Sequence, residues 1–365
     1  MHRGLSRHNN RSAGGAAFSP ASLFATGSQG AWYDNSNMST LFQDAAGTTP
    51  AVLESPVGKQ LDLSGRGNHR SQATSANRPT LSARYNLLTA TATLATQSIT
   101  TVATSYTITF AGAGTVTLSG TFIGVFSAGT NTFTATAGTL TVTVAGSVLT
   151  ADIRPTNQTV TLPAYQSVTS STVYDTVNFP QYLKYNGSNQ FLSTASVDFT
   201  ATAQMSVFAG ARKLSDATGF IVESGQNSFT TNGTFSTLAG NINTGTAYSG
   251  YSAVSRGTAA ATYNSQSAFA APITNTLNQR VDLTQTTLFA TNGLYVNSNA
   301  VTPQTTTFST STGNFGNYAM YFGMRAGTSV PFNGQEYQMI IVGKTLTATQ
   351  ITSTETYVNS KTKAY

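Results

Sequence analysis

Tyr106-Thr-Ile108-Thr-Phe110, Thr115-Val116-Thr117-Leu118 and Leu140-Thr-Val142-Thr-Val144 decide the fold class. In each run apolar residues alternate with threonine or stand between threonines, so one face of an extended chain is oily and the other carries hydroxyls. That is the pattern of a half-buried antiparallel strand. Threonine suits the wet face because its branched Cβ favours extended backbone. Ala111-Gly-Ala-Gly114, Ser119-Gly120, Ser127-Ala-Gly129 and Ala137-Gly138 punctuate the runs. Their spacing, roughly 8–12 residues, is that of turns in a β-sandwich. Residues 86–175 therefore read as a small Thr-rich β-sandwich that is nearly free of charge.

Working outward, the flanks have another texture. Residues 1–19 form a basic arm: Arg3, Arg7 and Arg11 precede the first acid, Asp34, and Gly14-Gly15 and Pro20 mark its end. In residues 20–85 the pairs Trp32-Tyr33 and Leu41-Phe42 flank the polar turn Asp34-Asn35-Ser36-Asn37. The same texture resumes over residues 176–365, with Phe179-Pro-Gln-Tyr182-Leu-Lys-Tyr185 and Met205-Ser-Val207-Phe208. The two flanks read as halves of one β domain, with the Thr-rich module inserted in a surface loop, where added length costs little closure entropy. One helix is expected, at the C-terminus. Thr347 and Gln350 have capping-box spacing, Ile351, Thr354 and Val358 fall on one face, and Lys361 and Lys363 sit where the helix dipole favours cations.

Only 8% of residues are charged, against a norm of about 25%. Aromatic residues reach 10%, with 20 Phe and 16 Tyr, which points to a folded chain, not a disordered one. The net charge of +6 owes much to the arm, so it argues for an anchoring tail and against a nucleic-acid-binding body. With no Cys there are no disulfides and no thiolate metal sites. His8, Asn9, Asn10 and Arg11 interrupt any signal-peptide core, and no run approaches the ~20 apolar residues of a membrane helix. Neither secretory cleavage nor membrane insertion is expected.

Catalysis needs convergent titratable groups, and the chain has 12 acids and three His. His2 and His8 lie on the arm, and His69 has no nucleophile elbow to accompany it. Glycosidic cleavage needs two carboxylates flanking a cleft, whereas Glu223, Glu336 and Glu355 are isolated in sequence. No catalytic residue, cofactor or metal site is expected. The glycines between Asp62 and Asn68 read as a tight turn with positive φ. Trp32, Tyr33, Tyr248 and Tyr251 are candidate glycan-stacking residues, with Tyr295 and Tyr321 beside them, and packing in the core is the competing role for all six.

Asp62-Leu-Ser-Gly-Arg-Gly-Asn68-His69 resembles the D-x-S-G-x-G-N turn of the laminin-G/concanavalin-like lectin superfamily. Tyr182-Leu-Lys-Tyr-Asn186-Gly-Ser-Asn189-Gln-Phe191 resembles its F-D-G-x-x-D-Y segment, and the late strand Tyr337-Gln-Met339-Ile-Ile-Val342 followed by a helix fits its closing pattern. The resemblance covers the chain outside 86–175. It implies an all-β fold: a concanavalin-like jelly-roll sandwich with an inserted small β-sandwich and a short C-terminal helix. It also marks the Asp62/Asn68 region as the place for a calcium ion, were one held. Asn186 and Asn189 stand where the family has Asp, and neutral amides bind a hard cation less strongly than carboxylates.

Phe18-Ser-Pro-Ala-Ser-Leu-Phe24, Ala31-Trp-Tyr-Asp34 and Pro56-Val-Gly58 further resemble the opening of phage-encoded virion proteins, and Arg325-Ala-Gly-Thr-Ser-Val-Pro-Phe-Asn-Gly334 resembles their ending. This resemblance implies a structural component of a tailed-phage virion, an accessory fibre, spike or capsid-decorating protein made in the host cytoplasm. Arg3, Arg7 and Arg11 would anchor it to other virion proteins. Sparse charge at sheet edges favours a homo-oligomer such as a trimer. The alternative is a carbohydrate-binding attachment module for a host surface glycan, and a glycan hydrolase comes third.

Overall fold

The computed structural model describes residues 18–52, 55–83, 87–88, 93–156, 180–241, 248–265, 267–284, 293–301, 303–307, 312–362 and 364. Arg3, Arg7, Arg11 and Lys363 lie outside the described residues. Strand pairing is antiparallel throughout.

Two large sheets make the body. An eight-stranded sheet runs in the order Asn299–Ala300, Gly293–Val296, Ile273–Asp282, Gln204–Lys213, Asn333–Val342, Gln181–Asn186 and Thr80–Ala83, with Gly30–Asp34 also paired to Asn333–Val342. A ten-stranded sheet runs Leu41–Phe42, Lys59–Gln60, Arg70–Ser71, Leu192–Asp198, Asn317–Phe322, Gly219–Ser224, Thr234–Ala239, Tyr251–Arg256, Ala260–Ser265 and Pro303–Thr307. Leu183, Val207, Met339 and Ile341 of the first sheet share one core with Leu192, Val222, Phe235 and Phe322 of the second. The two sheets are thus packed face to face, as alternating inward side chains require.

The strand Asn333–Val342 departs from simple alternation because both of its faces are covered. Met339 and Ile341 enter the sandwich core. Ile340 and Val342 pack instead with Leu23, Phe24, Phe208 and Val358, beneath the C-terminal helix Ala348–Thr362. The helix begins as its sequence predicts. Gln350 Oε1 accepts from Thr347 N at 3.0 Å, and Thr347 Oγ1 accepts from Gln350 N at 3.3 Å. Thr354 and Val358 are buried, Ile351 is half-buried, and Lys361 pairs with Asp34 at 3.2 Å.

One buried ion pair ties the two sheets together. Arg70 of the ten-stranded sheet reaches Glu336 of the eight-stranded one through two contacts, Nη2–Oε1 at 2.5 Å and Nη1–Oε2 at 3.0 Å. Gln60 Oε1 accepts from Arg70 Nε and Nη2 at 2.9 and 2.6 Å. The guanidinium also lies over the Tyr33 ring, 4.3 Å from its centroid.

The Thr-rich module hangs between neighbouring strands. The chain leaves the eight-stranded sheet after Thr80–Ala83 and re-enters on Gln181–Asn186, where Gln181 sits opposite Ala83. In between, Gln97–Thr101, Thr104–Gly120, Gly124–Ala135, Gly138–Ala145 and Leu149–Pro155 form a five-stranded sheet with its own core of Tyr106, Ile108, Val116, Leu118, Leu140, Val142 and Ile153. The observed turns correct two of those expected. Ala111–Gly114 and Ser127–Gly129 lie inside strands of 17 and 12 residues. At the first, the register shifts between Phe110 and Thr115, and the long strand exchanges one neighbour, Leu149–Pro155, for another, Gly138–Ala145. Gly112 sits there at φ +102°, where a Cβ would lie 2.3 Å from Ser147 O. The glycines mark a bulge that bends the sheet, not a chain reversal.

Candidate functional site

The outer face of the ten-stranded sheet brings polar and aromatic side chains together. The strand registers place Lys59, Ser71, Ser193, Tyr321, Glu223, Ser236 and Val254 in one row across seven strands. Leu192, Phe322 and Val222, next to them in sequence, point into the core. The row divides in two: Glu223, Ser236 and Val254 are buried, whereas Lys59, Ser71, Ser193 and Tyr321 are half-exposed.

The buried half is closed by residues of two loops, 225–233 and 323–332. From the first, Ser228 donates its N and Oγ to Glu223 Oε1, both at 2.8 Å, and its Oγ also lies 2.8 Å from Ser236 Oγ. From the second, Arg325 reaches Glu223 through Nε and Nη2 at 3.2–3.3 Å. The Arg325 guanidinium stands over Phe220 at 4.3 Å and Phe229 at 5.4 Å. Arg256 then pins the first loop, with Nη1 to Phe229 O at 2.7 Å and Nε to Asn232 Oδ1 at 2.9 Å. Glu223 is a carboxylate surrounded by donors, which suits a clamp.

The open half is an aromatic shelf. Tyr321 and Phe191 are both half-exposed, with ring centroids 6.5 Å apart and planes at 46°. Backbone contacts fix Phe191: its N donates to Asn77 O at 3.0 Å, and its O accepts from Gln72 Nε2 at 3.5 Å. Gly327, at φ +69°, brings the second loop against the Phe191 ring so closely that a Cβ would lie 2.6 Å from Cζ. Ser71 and Ser193 supply hydroxyls beside the rings, at the strand spacing of about 4.8 Å.

The four aromatics singled out from sequence are placed elsewhere. Tyr33 is fully buried between Arg70 and Phe322, and its hydroxyl donates to Asn68 O. Tyr251 is fully buried, its hydroxyl 2.9 Å from Asn275 Oδ1. Tyr248 is buried with its hydroxyl donating to Ser265 O. Burial pushes all three phenol pKa values up. None has a free ring face, so none is a stacking platform. Trp32 is half-buried and meets Tyr357 of the helix edge-to-face at 6.0 Å, while Tyr357 donates to Asp34 Oδ2 at 2.9 Å. Trp32 thus helps to seat the helix. Tyr295 has its ring covered by Arg280 at 3.6 Å. Of the six, Tyr321 alone lies on the open shelf. Phe191 was legible as part of the Tyr182–Phe191 motif, and the Glu223–Arg325 clamp left no sequence signal because its members are 102 positions apart.

The Asp62–Asn68 turn is self-satisfied. Asp62 Oδ1 accepts from Trp32 N and Ser64 N at 2.9 and 2.8 Å, and Oδ2 accepts from Ser64 Oγ and Asn68 N at 2.6 and 3.0 Å. Gly65 and Gly67 take φ of +78° and +75°, as a tight turn requires. His69 Nδ1 accepts from Asp62 N at 2.9 Å, which gives His69 a part in holding the turn. The carboxylate is committed to protein donors and does not fit a calcium ligand, and among the described residues no group of three or more His, Asp or Glu is placed to hold a metal. Asn186 Oδ1 accepts from Ser188 N and Asn189 N, so that second cluster is also a turn. No described helix is long and apolar enough to cross a membrane.

No family model matches the chain. No curated protein matches it significantly. Among solved structures, the sialidase carbohydrate-binding module CBM40 of Ruminococcus gnavus, bound to α2,3-sialyllactose, is similar at 16% identity over 48% of this chain and 95% of that one, with a TM-score of 0.33. The binding domain of botulinum neurotoxin serotype G is similar at 11% identity over 48% of this chain and 42% of that one, TM-score 0.36. A heptameric SAP-like pentraxin from Limulus polyphemus is similar at 11% identity over 50% of this chain and 80% of that one, TM-score 0.34.

Proposed function

We propose that the chain is a non-catalytic carbohydrate-binding attachment module that takes a surface glycan on the open half of the ten-stranded sheet. The observation that carries this reading is the half-exposed Tyr321–Phe191 pair flanked by Ser71 and Ser193. Aromatic faces suit the apolar faces of sugar rings, and adjacent hydroxyls both donate and accept, as sugar hydroxyls do. The Glu223–Arg325 clamp holds the floor of the shelf rigid. That the bearer is a virus particle rests on the sequence resemblance alone, and labelling the chain on purified particles tests it separately.

Retention of the full chain on a panel of immobilised bacterial surface polysaccharides tests the binding reading. Tyr321→Ala is expected to weaken retention at least about tenfold, a loss of about 1.4 kcal/mol, with Phe191→Ala close behind and Tyr295→Ala unchanged. Absence of retention by the unaltered chain, or equal retention by all three variants, would sink it. Release of reducing ends from any retained polysaccharide would replace binding with hydrolysis.

A further inference from the structure

The short loop that holds Phe191 on the open shelf, residues 72–78, also carries a cation. Phe191 N donates to Asn77 O, and Phe191 O accepts from Gln72 Nε2. Asn189 fastens the same loop, with Nδ2 to Asn77 Oδ1 at 2.9 Å and to Ala76 O at 3.2 Å. Next in the chain stands Arg78, half-exposed, whose Nε donates to Gln72 O at 3.0 Å and Nη2 to Ala73 O at 2.7 Å. Its Nη1 crosses to Gln43 O at 3.0 Å. Arg78 is thus fixed beside Phe191 by three bonds, all to neutral carbonyls.

A guanidinium has five N–H donors, so two remain on a fork that is already locked in place. Lys59 is the second cation. It is half-exposed and stands in the same row as Tyr321, beyond Ser193 and Ser71, about 14 Å away at three strand spacings. Its Nζ donates to Ala46 O at 3.2 Å and keeps two N–H. Among the described residues, neither cation is in an ion pair. Asp44, the acid beside Gln43, is turned to its own loop. Its carboxylate accepts from the N of Gly47, Thr48 and Thr49 and from Thr48 Oγ1, at 2.7–3.2 Å. Those donors, Thr49 N foremost, hold its carboxyl well below the usual carboxylate range. Glu223 is likewise met by Arg325 and Ser228. The carboxylates of this face have their donors, while two of its cations lack an anion.

We infer, on the basis of the glycan-binding reading above, that the shelf selects an acidic saccharide, whose carboxylate or phosphate is taken by Arg78 and Lys59 while a neighbouring ring stacks on Tyr321 and Phe191. The planar fork of arginine matches either anion through parallel N–H bonds. The span from Lys59 to Tyr321 calls for several sugar units. Because both cations are half-exposed, salt screens their attraction and binding weakens as ionic strength rises.

Retention of the full chain on neutral, carboxylated and phosphorylated bacterial polysaccharides tests this, with each acidic polymer paired with its carboxyl-reduced or dephosphorylated form. Acidic forms are expected to be retained at least about tenfold more tightly than their neutralised counterparts, and salt is expected to narrow that gap. The treatment that abolishes the gap identifies the anion. Arg78→Gln and Lys59→Gln are each expected to lower retention on the acidic form, Lys59→Gln by about threefold, and to leave the neutralised form unchanged. A merely structural role would lower both. Lys344→Gln, which removes a cation elsewhere, leaves both unchanged. Should Arg78→Gln loosen the loop, Lys59→Gln decides alone. Equal retention of acidic and neutralised forms, with Tyr321→Ala still weakening both, overturns this inference and leaves the binding reading standing. Retention of no polymer overturns both. A gap that persists in both glutamine variants, or that Lys344→Gln closes equally, overturns the assignment to Arg78 and Lys59.

Discussion

The sandwich and the inserted module both join antiparallel strands around an apolar core, but their polar links are opposite in kind. The sandwich buries charge: Arg70 with Glu336, Lys213 with Asp216, and Arg325 with Glu223. The module's strands from Gln97 to Ala145 carry none, and exposed hydroxyl pairs such as Thr109–Thr130 and Ser105–Thr134 link them, while its one described ion pair, Asp152–Arg154, lies on the edge strand with both side chains about 30% exposed. Arg70 and Glu336 are 266 positions apart and meet only when both sheets are in register and at the right separation. A buried charge left unpaired is costly, so such a pair penalises every alternative packing. Hydroxyl pairs on a wet face are interchangeable with water and with one another, and penalise a slipped register little. One region specifies a single arrangement by exacting electrostatics, while the other relies on alternation and the bulge at Gly112.

The largest effect that would break this contrast lies at the sheet-bridging pair. Glu336→Ala leaves the fully buried Arg70 without its carboxylate and is expected to cost about 3–5 kcal/mol. Arg70→Met/Glu336→Leu, which removes both charges, is expected to recover most of that loss, because apolar replacement of a buried pair is often neutral or better. Urea titration of the three proteins checks both statements. A single variant that costs under about 1 kcal/mol would place the lock elsewhere.

The same contrast explains what the sequence disclosed. The module's strands were legible because Tyr106, Ile108 and Phe110 alternate with threonine, and a face assignment needs no long-range information. The helix was legible because Thr347 and Gln350 cap each other within one turn. Ala111–Gly114 was misread because glycines serve a bulge as well as a turn, and the choice is made by Ser147, whose O accepts from Gly114 N at 2.8 Å. At the site, Tyr321 could be placed on a face opposite to Met320 and Phe322. Trp32 and Tyr33 could not: neighbours on a strand must point opposite ways, but Arg70, far along the chain, determines that Tyr33 is the buried one. The Glu223–Arg325 clamp was illegible for the same reason.

Alkaline pH provides a second, smaller separation. Burial raises the pKa of Tyr33, Tyr185, Tyr248, Tyr251 and Tyr357 in the sandwich and its helix, and that of Tyr106 in the module. A phenol whose folded pKa lies above its unfolded value of about 10 keeps its full contribution below that value. Above it, the unfolded chain releases the proton while the folded chain holds it, so stability falls as pH rises, by up to about 1.4 kcal/mol per pH unit per tyrosine. Five such groups against one predict that the sandwich loses stability more steeply than the module between about pH 10 and the folded pKa values. Hydrogen exchange resolved by region measures the two slopes. Equal slopes would show that the regions unfold as one cooperative unit.

The smallest effect sharpens the comparison most directly, because it sets one hydroxyl against another. Ser228 Oγ is buried, donates to Glu223 Oε1 at 2.8 Å and lies 2.8 Å from Ser236 Oγ. Ser228→Ala removes a donor from a buried carboxylate and is expected to cost about 1–3 kcal/mol. Thr130 is exposed, and its hydroxyl lies 3.2 Å from that of Thr109. Thr130→Val keeps the branched Cβ that favours the strand while discarding the hydroxyl, so the expected change is within about 0.5 kcal/mol. Thermal melts of the two variants measure the difference. Equal losses would mean that the module's hydroxyl ladder is as exacting as the sandwich's ion pairs, and that the lack of buried charge in the module does not relax its register.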